Sequence, residues 1–464
     1  MSRIREIVRN PHELGGEWIT FIYYSEKVKP GTNRKVDVYV PTTVKPGTPC
    51  AVLFTMDGPR DADPEIIERL SKESVIPPMI YIGVTAAFFK ASLEGGFDRT
   101  VRSPEYDGLG SGYADLLIDE LLPDLMAELL PGYTVDPSPE MHQINGCSSG
   151  GICAWNACWE RNDFFRRCLI NSPTFSSFRG GDSMTVLMRK YEPRLIRCFM
   201  TVGTDDMENS SGNWYLEALS ADSAMKYAGY EYRFIVFQNG KHGVSAGDPT
   251  IQEESLRFLW KDWQTVPVGN KGYPPRIADI VSIEKPWEVT DRKDMPEKTP
   301  CPYTACGRQI LRDGKVMAEL PGTVSGLTLS SDKWRLYAAT PERRFIYAFA
   351  IRPDGSLDSM YAHAHLHIKD DAAVIGAPGI CIDAYDRLYA ATECGIQTTS
   401  QQGENNTILP LPGNVPCVDV GFDPDAPDTL YAKAADGRIF KRTVLTRGIG
   451  RGDETVYEPK TAPF

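Results

Sequence analysis

Two rhythms of apolar and polar positions alternate along the first 263 residues. RKVDVYVP (34–41), CAVLFTMDG (50–58) and MIYIGVTA (79–86) are short, β-branched and apolar, the texture of buried strands. GYADLLIDELLPDLMAELL (112–130) carries its apolar residues at helical spacing instead. The alternation then continues. MHQING (141–146), RCLINS (167–172), IRCFMTVG (196–203) and EYRFIVFQ (231–238) predict strands. GICAWNACWE (151–160), YLEALSADSAMKYAG (215–229) and IQEESLRFLWKDW (251–263) predict helices. Strands interleaved with helices predict an α/β fold, a mostly parallel sheet covered by helices.

Residues 266–300 are rich in proline and charge and hold no period, so a linker is expected there. After 300 the texture changes. Leu-Tyr-Ala triplets begin at 336, 388 and 430, in GLTLSSDKWRLYAAT, GICIDAYDRLYAAT and VDVGFDPDAPDTLYAKA. Short strands repeating at 52 and 42 residues predict propeller blades, about three in the available length. Three blades leave open edges that must pair or be covered. The expected layout is an α/β domain over 1–265, a linker over 266–300 and an all-β partial propeller over 301–464.

Composition narrows the function. A chain of 464 residues is long enough for two or three domains. Its net charge of −12, with no basic stripe, speaks against nucleic acid and against anionic membranes. No run of 18 apolar residues marks a membrane span, and MSRIREIVRNPHELGGEWITF lacks the pattern of a signal peptide. Eleven scattered cysteines, several in apolar runs, are expected to be reduced thiols of a cytoplasmic protein.

INGCSSGG (144–151) carries the candidate chemistry. GCSSG has the form G-x-S-x-G between a predicted strand and a predicted helix, the turn that exposes a nucleophilic serine in α/β-hydrolases. Ser148 is the candidate nucleophile. The Ser149 N–H, at the start of the helix, is a candidate oxyanion donor. Hydroxyl attack needs a base and a carboxylate to orient it, in the order Ser, acid, His. VGTDDMENSSGNW (202–214) offers Asp206, with Asp205 as the alternative, just past a strand. FIVFQNGKHG (234–243) ends a strand in a loop bearing His242. The second oxyanion donor is expected from LFTMDGPRDAD (53–63). Pro59 has no N–H, which leaves Gly58 or Arg60. Cys147 is one residue off the turn's centre, and His142 starts the strand; both are expected to be structural. Phe88, Phe89, Phe97, Phe175 and Trp214 are the aromatic candidates for lining a pocket.

These segments resemble the esterase family that includes the enterochelin (iron-siderophore) esterases and is related to feruloyl and other carbohydrate esterases. The likeness rests on LFTMDG (53–58), RSPEYDGLGSGYADLLIDELLP (102–123), INGCSSGG, GTDDMENSSGNW (203–214) and KYAGYEYRFIVFQNGKHG (226–243). It implies an α/β-hydrolase fold and cleavage of a small-molecule carboxylic ester without a cofactor, with Ser148, His242 and Asp206 in the roles above. Sugar, aryl and siderophore-like esters all fit. Arg102, Glu105 and Trp214 fall in matching segments and are the candidates for substrate binding. Lys241 departs from the glycine pair that relatives carry before this histidine, which puts the local loop geometry in question. The last ~165 residues resemble part of the gluconolactonase/regucalcin propeller family. Pro378 stands where that family has a metal-ligating aspartate, so no metal is expected there, and HAHLH (363–367) sets three histidines on alternate positions. Two chains closing a ring with their half-propellers, as a homodimer, is one way to satisfy the open edges. A metal-dependent lactonase and a non-catalytic binding protein with an inert hydrolase fold are the alternative functions.

Overall fold

The apolar runs of the first half meet in a single sheet. The computed structural model describes residues 2–60, 63–89, 99–269, 272–451 and 453. The chain divides into two compact units, residues 1–189 with 193–271, and 190–192 with 272–464.

In the first unit the strands are β1 (Ile4–Pro11), β2 (Glu17–Tyr24), β3 (Asn33–Val40), β4 (Pro49–Met56), β5 (Met79–Val84), β6 (His142–Cys147), β7 (Arg167–Asn171), β8 (Arg197–Gly203) and β9 (Glu231–Phe237). Their order is β1-β2-β3-β5-β4-β6-β7-β8-β9, with the two-residue strand Thr134–Val135 beside β4. β1, β2, β3 and β5 pair antiparallel, and every neighbour from β5 to β9 is parallel. Every residue of β5, β6, β7 and β8 is buried, which is why β5 reads as an unbroken apolar run and β7 and β8 carry one at their centres. β1 shows the converse. Only Ile4 is buried there, so no apolar rhythm announced the strand.

The helices are α1 (Pro64–Lys72), α2 (Arg102–Tyr106), α3 (Gly112–Asp115, continuing through the π-helical Leu116–Leu121 into Leu122–Glu128), α4 (Ser149–Glu160), α5 (Ser183–Lys190), α6 (Trp214–Ala228) and α7 (Pro249–Leu259). α1 and α7 start alike: Asp63 and Asp248 cap the first N–H groups, and proline follows at the first helical position. Asn213 caps α6, and Gly229 ends it at φ +76°. Leu53, Ile67, Leu70, Tyr81, Leu169, Phe199, Leu256 and Trp260 belong to one core cluster. The buried guanidiniums of Arg167 and Arg197 donate to the Leu259 carbonyl (2.8 and 3.0 Å), satisfying an acceptor left over at the end of α7. Among the described residues no helix is long and apolar enough to cross a membrane.

Glu120, in the π-helical stretch of α3, is 1% exposed. Its carboxylate accepts the N–H groups of Glu26 (2.7 Å), Val28 (3.0 Å) and Lys27 (3.2 Å) and the Ser25 hydroxyl (2.9 Å). Burial alone would raise its pKa, but these hydrogen bonds hold it at about 2 against an ordinary 4.5. A folded pKa below the unfolded one means stabilisation that is complete above pH ~4.5 and fades as pH falls towards 2. The shift corresponds to about 3 kcal/mol. Glu120→Gln is expected to lower stability by about 2–3 kcal/mol at pH 7, with the gap to wild type closing between pH 4.5 and 2. Urea melts across that range check it, and a gap independent of pH would dismiss the role.

The second unit is built of antiparallel sheets and begins with the short α8 (Pro275–Ala278). Its strands are β10 (Glu288–Thr290), β11 (Thr304–Cys306), β12 (Gln309–Arg312), β13 (Lys315–Glu319), β14 (Gly326–Leu329), β15 (Arg335–Ala339), β16 (Phe345–Ala350), β17 (Tyr361–His365), β18 (Ile380–Ile382), β19 (Leu388–Thr392), β20 (Gly395–Thr399), β21 (Asn405–Leu409), β22 (Cys417–Asp423), β23 (Ala426–Ala434) and β24 (Ile439–Thr443). Among the described residues they form the sheets β11-β12-β13, β14-β15-β16-β17, β18-β19-β20-β21 and β10-β24-β23-β22. The repeat now has a physical cause. Each Leu-Tyr-Ala triplet lies on a strand with a neighbour on either side (β15, β19, β23), and all nine residues are buried.

The expected linker needs correction. From Gly272 onward the 266–300 stretch belongs to the second unit. Ile277, Ile280 and Val281 join a core with Tyr389, Ile396, Leu430 and Phe440, and β10 pairs with β24. β10 is too short, and too exposed at Glu288 and Val289, to show a period. Other parts of the same unit pack beside the first and last of the four-stranded sheets. Ile310, Leu320, Tyr303 and Val324 pack with Leu336, Ala338, Tyr347 and Phe349 beside the first four-stranded sheet. On the last sheet Arg292 pairs with Asp423 (3.1 Å) and lies over Tyr431 (5.0 Å), while Lys298 pairs with Asp419 (2.6 Å). The HAHLH histidines occupy three separate settings. His363 is against Tyr337 (4.9 Å), His365 against Phe345 (5.3 Å), and His367 Nε2 lies 3.0 Å from Lys190 Nζ. Burial, with nearby Arg335 for His363 and Lys190 for His367, pushes both imidazoles down to about 4.

Candidate active site

Ser148 sits between β6 and α4 at φ +60°, ψ −122°, a strained conformation for a residue with a side chain. The turn closes only because Gly146 has no Cβ, which would lie 2.1 Å from the Gly150 carbonyl oxygen. Ser148 N–H donates to the Asn171 carbonyl (2.9 Å), and the Ser148 carbonyl accepts from Gly151 (2.9 Å) and Thr174 (3.2 Å). Ser149 is the first residue of α4, where backbone N–H groups have no partner within the helix.

Parallel register sets the C-terminal ends of β6, β7, β8 and β9 in a row, with Cys147 opposite Asn171 and Asn171 opposite Thr201. The loops after β8 and β9 are fastened together: a Cβ at Gly203 would lie 1.9 Å from the Gly240 carbonyl oxygen, and Asp205 N–H donates to that oxygen (2.9 Å). This brings Asp206 Oδ1 to 2.6 Å from His242 Nδ1. Asp206 also accepts the Ser172 hydroxyl and the Met207 N–H, each at 2.6 Å, and Ser172 Oγ in turn accepts the Gly243 N–H (3.0 Å). Burial would raise the Asp206 pKa, but these bonds, His242 first, hold it below the ordinary carboxylate value. Asp205, the alternative acid, is exposed and meets only the Thr204 hydroxyl (3.4 Å) among the side-chain bonds described.

His242 is tied towards the serine turn by its neighbours. A Cβ on Gly243 would lie 3.3 Å from Cys147 Sγ, so the histidine loop rests against the residue preceding Ser148. Ser245 buries its hydroxyl on Thr201 (2.6 Å) and Asn171 Oδ1 (3.2 Å). Lys241 is exposed, and its presence leaves the His242–Asp206 contact intact.

Other expectations change. Gly58 N–H donates to the Val84 carbonyl (3.3 Å), and Arg60 N–H to the Gly58 carbonyl (2.8 Å), so neither is set as the second oxyanion donor. Glu105 serves the interior of the unit. It is buried, paired with the buried Arg34 (3.1 and 3.3 Å), and accepts Ala87 N–H (2.8 Å). Trp214 is buried too. Its ring stands edge-on to His242 at 6.1 Å and its Nε1 reaches Thr174 Oγ1 (3.4 Å), so it buttresses the imidazole. Arg102 alone of the three has access to solvent, with its side chain 32% exposed. It grips Asp57 through two bonds of 2.7 Å and reaches the Cys147 carbonyl (3.3 Å). Sequence reasoning missed Asp57, whose signal was its place between an apolar strand and Gly58. His142 is structural, with its ring nitrogens on the Asp136 (2.7 Å) and Phe164 (3.0 Å) carbonyls. Phe175 is buried in the core, Phe88 is 37% exposed, and Phe97 lies outside the described residues.

Residues 28–258 match the protein family described as "Putative esterase". No curated protein matches the chain. Among solved structures it is similar to a ferulic acid esterase, at 18% identity over 53% of this chain and 97% of that one, with a TM-score of 0.41. It is similar to an S-formylglutathione hydrolase from Agrobacterium tumefaciens, at 15% over 57% and 100%, with a TM-score of 0.41. An enterochelin esterase from Shigella flexneri shares 17% over 56% of this chain and 60% of that one, with a TM-score of 0.39.

Proposed function

We propose that this carboxylic ester hydrolase works through Ser148, His242 and Asp206. The observation that carries the reading is the 2.6 Å bond from His242 Nδ1 to a buried Asp206, at the same sheet edge as the strained Ser148 turn. Asp206 fixes the proton on Nδ1, which leaves Nε2 as the base. Ser148 Oγ attacks the ester carbonyl as His242 takes its proton, and the Ser149 N–H faces the developing oxyanion. The tetrahedral intermediate collapses, and the alcohol leaves with the proton from His242. Water, deprotonated by His242, then attacks the acyl-serine and releases the acid. An alkyl fluorophosphonate tests the assignment. It is expected to form one covalent adduct, on the peptide containing Ser148, found by mass mapping. Absence of labelling, or an adduct elsewhere, would refute it.

The sequence resemblance supports sugar, aryl and siderophore-like esters as the substrate range. For the second unit we read the three four-stranded sheets as blades of a partial, gluconolactonase-like propeller without a catalytic role. The Leu-Tyr-Ala strands recurring at one position in each sheet support this. Among the described residues no two cysteines form a disulfide, and we infer a reducing compartment such as the cytoplasm.

A further inference from the structure

The second unit holds a cavity of about 530 Å³, well within the range of small-molecule sites. Its walls come from the turn between β18 and β19 (Tyr385, Arg387), the segment from the β20–β21 turn into β21 (Gln402, Glu404, Asn406), α8 and the residue after it (Arg276, Asp279), and Leu445. Pro378, where the sequence analysis looked for a metal ligand, lies before the other end of β18, so this is a different place in the fold.

Three features define what would fit. The charge is balanced: Arg276 and Arg387 face Asp279 and Glu404, which disfavours ligands of strong net charge. The polar groups mix donors and acceptors, since the Asn406 and Gln402 amides offer both. Apolar surface stands beside them, with Tyr385 62% and Leu445 53% exposed. One wall is also held rigid. Asp383 is fully buried and binds Arg387 Nε (2.7 Å), the Thr446 hydroxyl (2.9 Å), the Tyr389 hydroxyl (3.1 Å) and the N–H groups of Tyr385 and Arg387 (2.9 Å each). Arg387 Nη2 donates in addition to Thr446 Oγ1 (2.6 Å). The guanidinium is therefore fixed before any ligand arrives, which lowers the entropic cost of binding.

We propose that this cavity binds a neutral polyhydroxylated ligand, a mono- to trisaccharide. One face of a sugar ring is apolar C–H and suits the Tyr385 ring, while its hydroxyls both donate and accept and suit the amides and the paired charges. The proposal stands apart from the ester chemistry of the first unit. The full chain would be titrated with glucose, xylose, cellobiose and xylotriose by saturation-transfer NMR and calorimetry. Binding of at least one sugar, at about millimolar Kd or tighter, is expected. Tyr385→Ala and Asn406→Ala should each weaken it at least about tenfold, with the rate on p-nitrophenyl acetate unchanged. Thermal melts check folding, and Gln402→Ala, on the exposed turn, replaces either variant that fails to fold. No binding by the wild type, binding that the variants leave intact, or preference for the zwitterion glycine betaine over every sugar would overturn the proposal.

Discussion

Ser148→Ala is expected to lower kcat on p-nitrophenyl acetate by about six orders of magnitude, with little change in KM. Alanine keeps a Cβ of the same size in the same strained conformation, so the backbone at φ +60° is no worse off. The contacts that hold the turn come from the backbone, from Ser148 N–H to Asn171 and from Gly151 and Thr174 to the Ser148 carbonyl, and alanine retains all of them. The variant should therefore fold and melt like the wild type while lacking the hydroxyl that attacks. A residue of about 10³ over the uncatalysed rate should persist, from the Ser149 N–H and substrate positioning. Steady-state kinetics with a thermal melt on the same sample decide it. Turnover within about tenfold of wild type, from folded protein, would be incompatible with Ser148 as nucleophile.

Asp206→Asn has the second-largest expected effect, a loss of about 10⁴ in kcat. The shape is conserved but the hydrogen bonding reverses. Asp206 accepts from His242 Nδ1, the Ser172 hydroxyl and the Met207 N–H. An asparagine can present its NH₂ to Nδ1, which moves the imidazole proton to Nε2, the atom that must be free to take the serine proton. Asp205→Asn is the control. Among the side-chain bonds described, that exposed carboxylate meets only Thr204, so kcat should stay within about twofold of wild type. The lowered Asp206 pKa adds a sign. Its stabilising contribution is present above the unfolded carboxylate pKa of ~3.9 and is lost as pH falls through the lower folded value. Asp206 thus stays ionised across mildly acidic pH, and an activity loss there would not come from its protonation. Equal losses in the two variants would leave the choice of acid without support.

The parts of the fold legible beforehand were those in which one residue's burial leaves a periodic trace. β5 to β8 lie between covered faces, and apolar residues fill β5 and the middles of β7 and β8 with no polar face between them. β1, exposed along all but one residue, left no trace, and neither did β10. The Leu-Tyr-Ala repeat was legible because three strands in equivalent positions face the same packing demand. Within the site, Ser148, Asp206 and His242 could be named from motif spacing and chain order. Glu105 and Trp214 could not be told from exposed residues beforehand, because a segment match carries no record of exposure, and the structure buries both.

Spacing, periodicity and residue type therefore determined by themselves the α/β half, the all-β half and a short list of reactive side chains, since each depends on neighbours along the chain. Partnership across the chain was left to the tertiary structure: which aspartate meets His242, where the Gly58 N–H goes, that Arg102 closes on Asp57, and that the supposed linker supplies a strand. Hydrogen bonds reach about 3 Å, and groups as far apart along the chain as Glu288 and Lys441 come within that range only once strand register and loop closure have placed them.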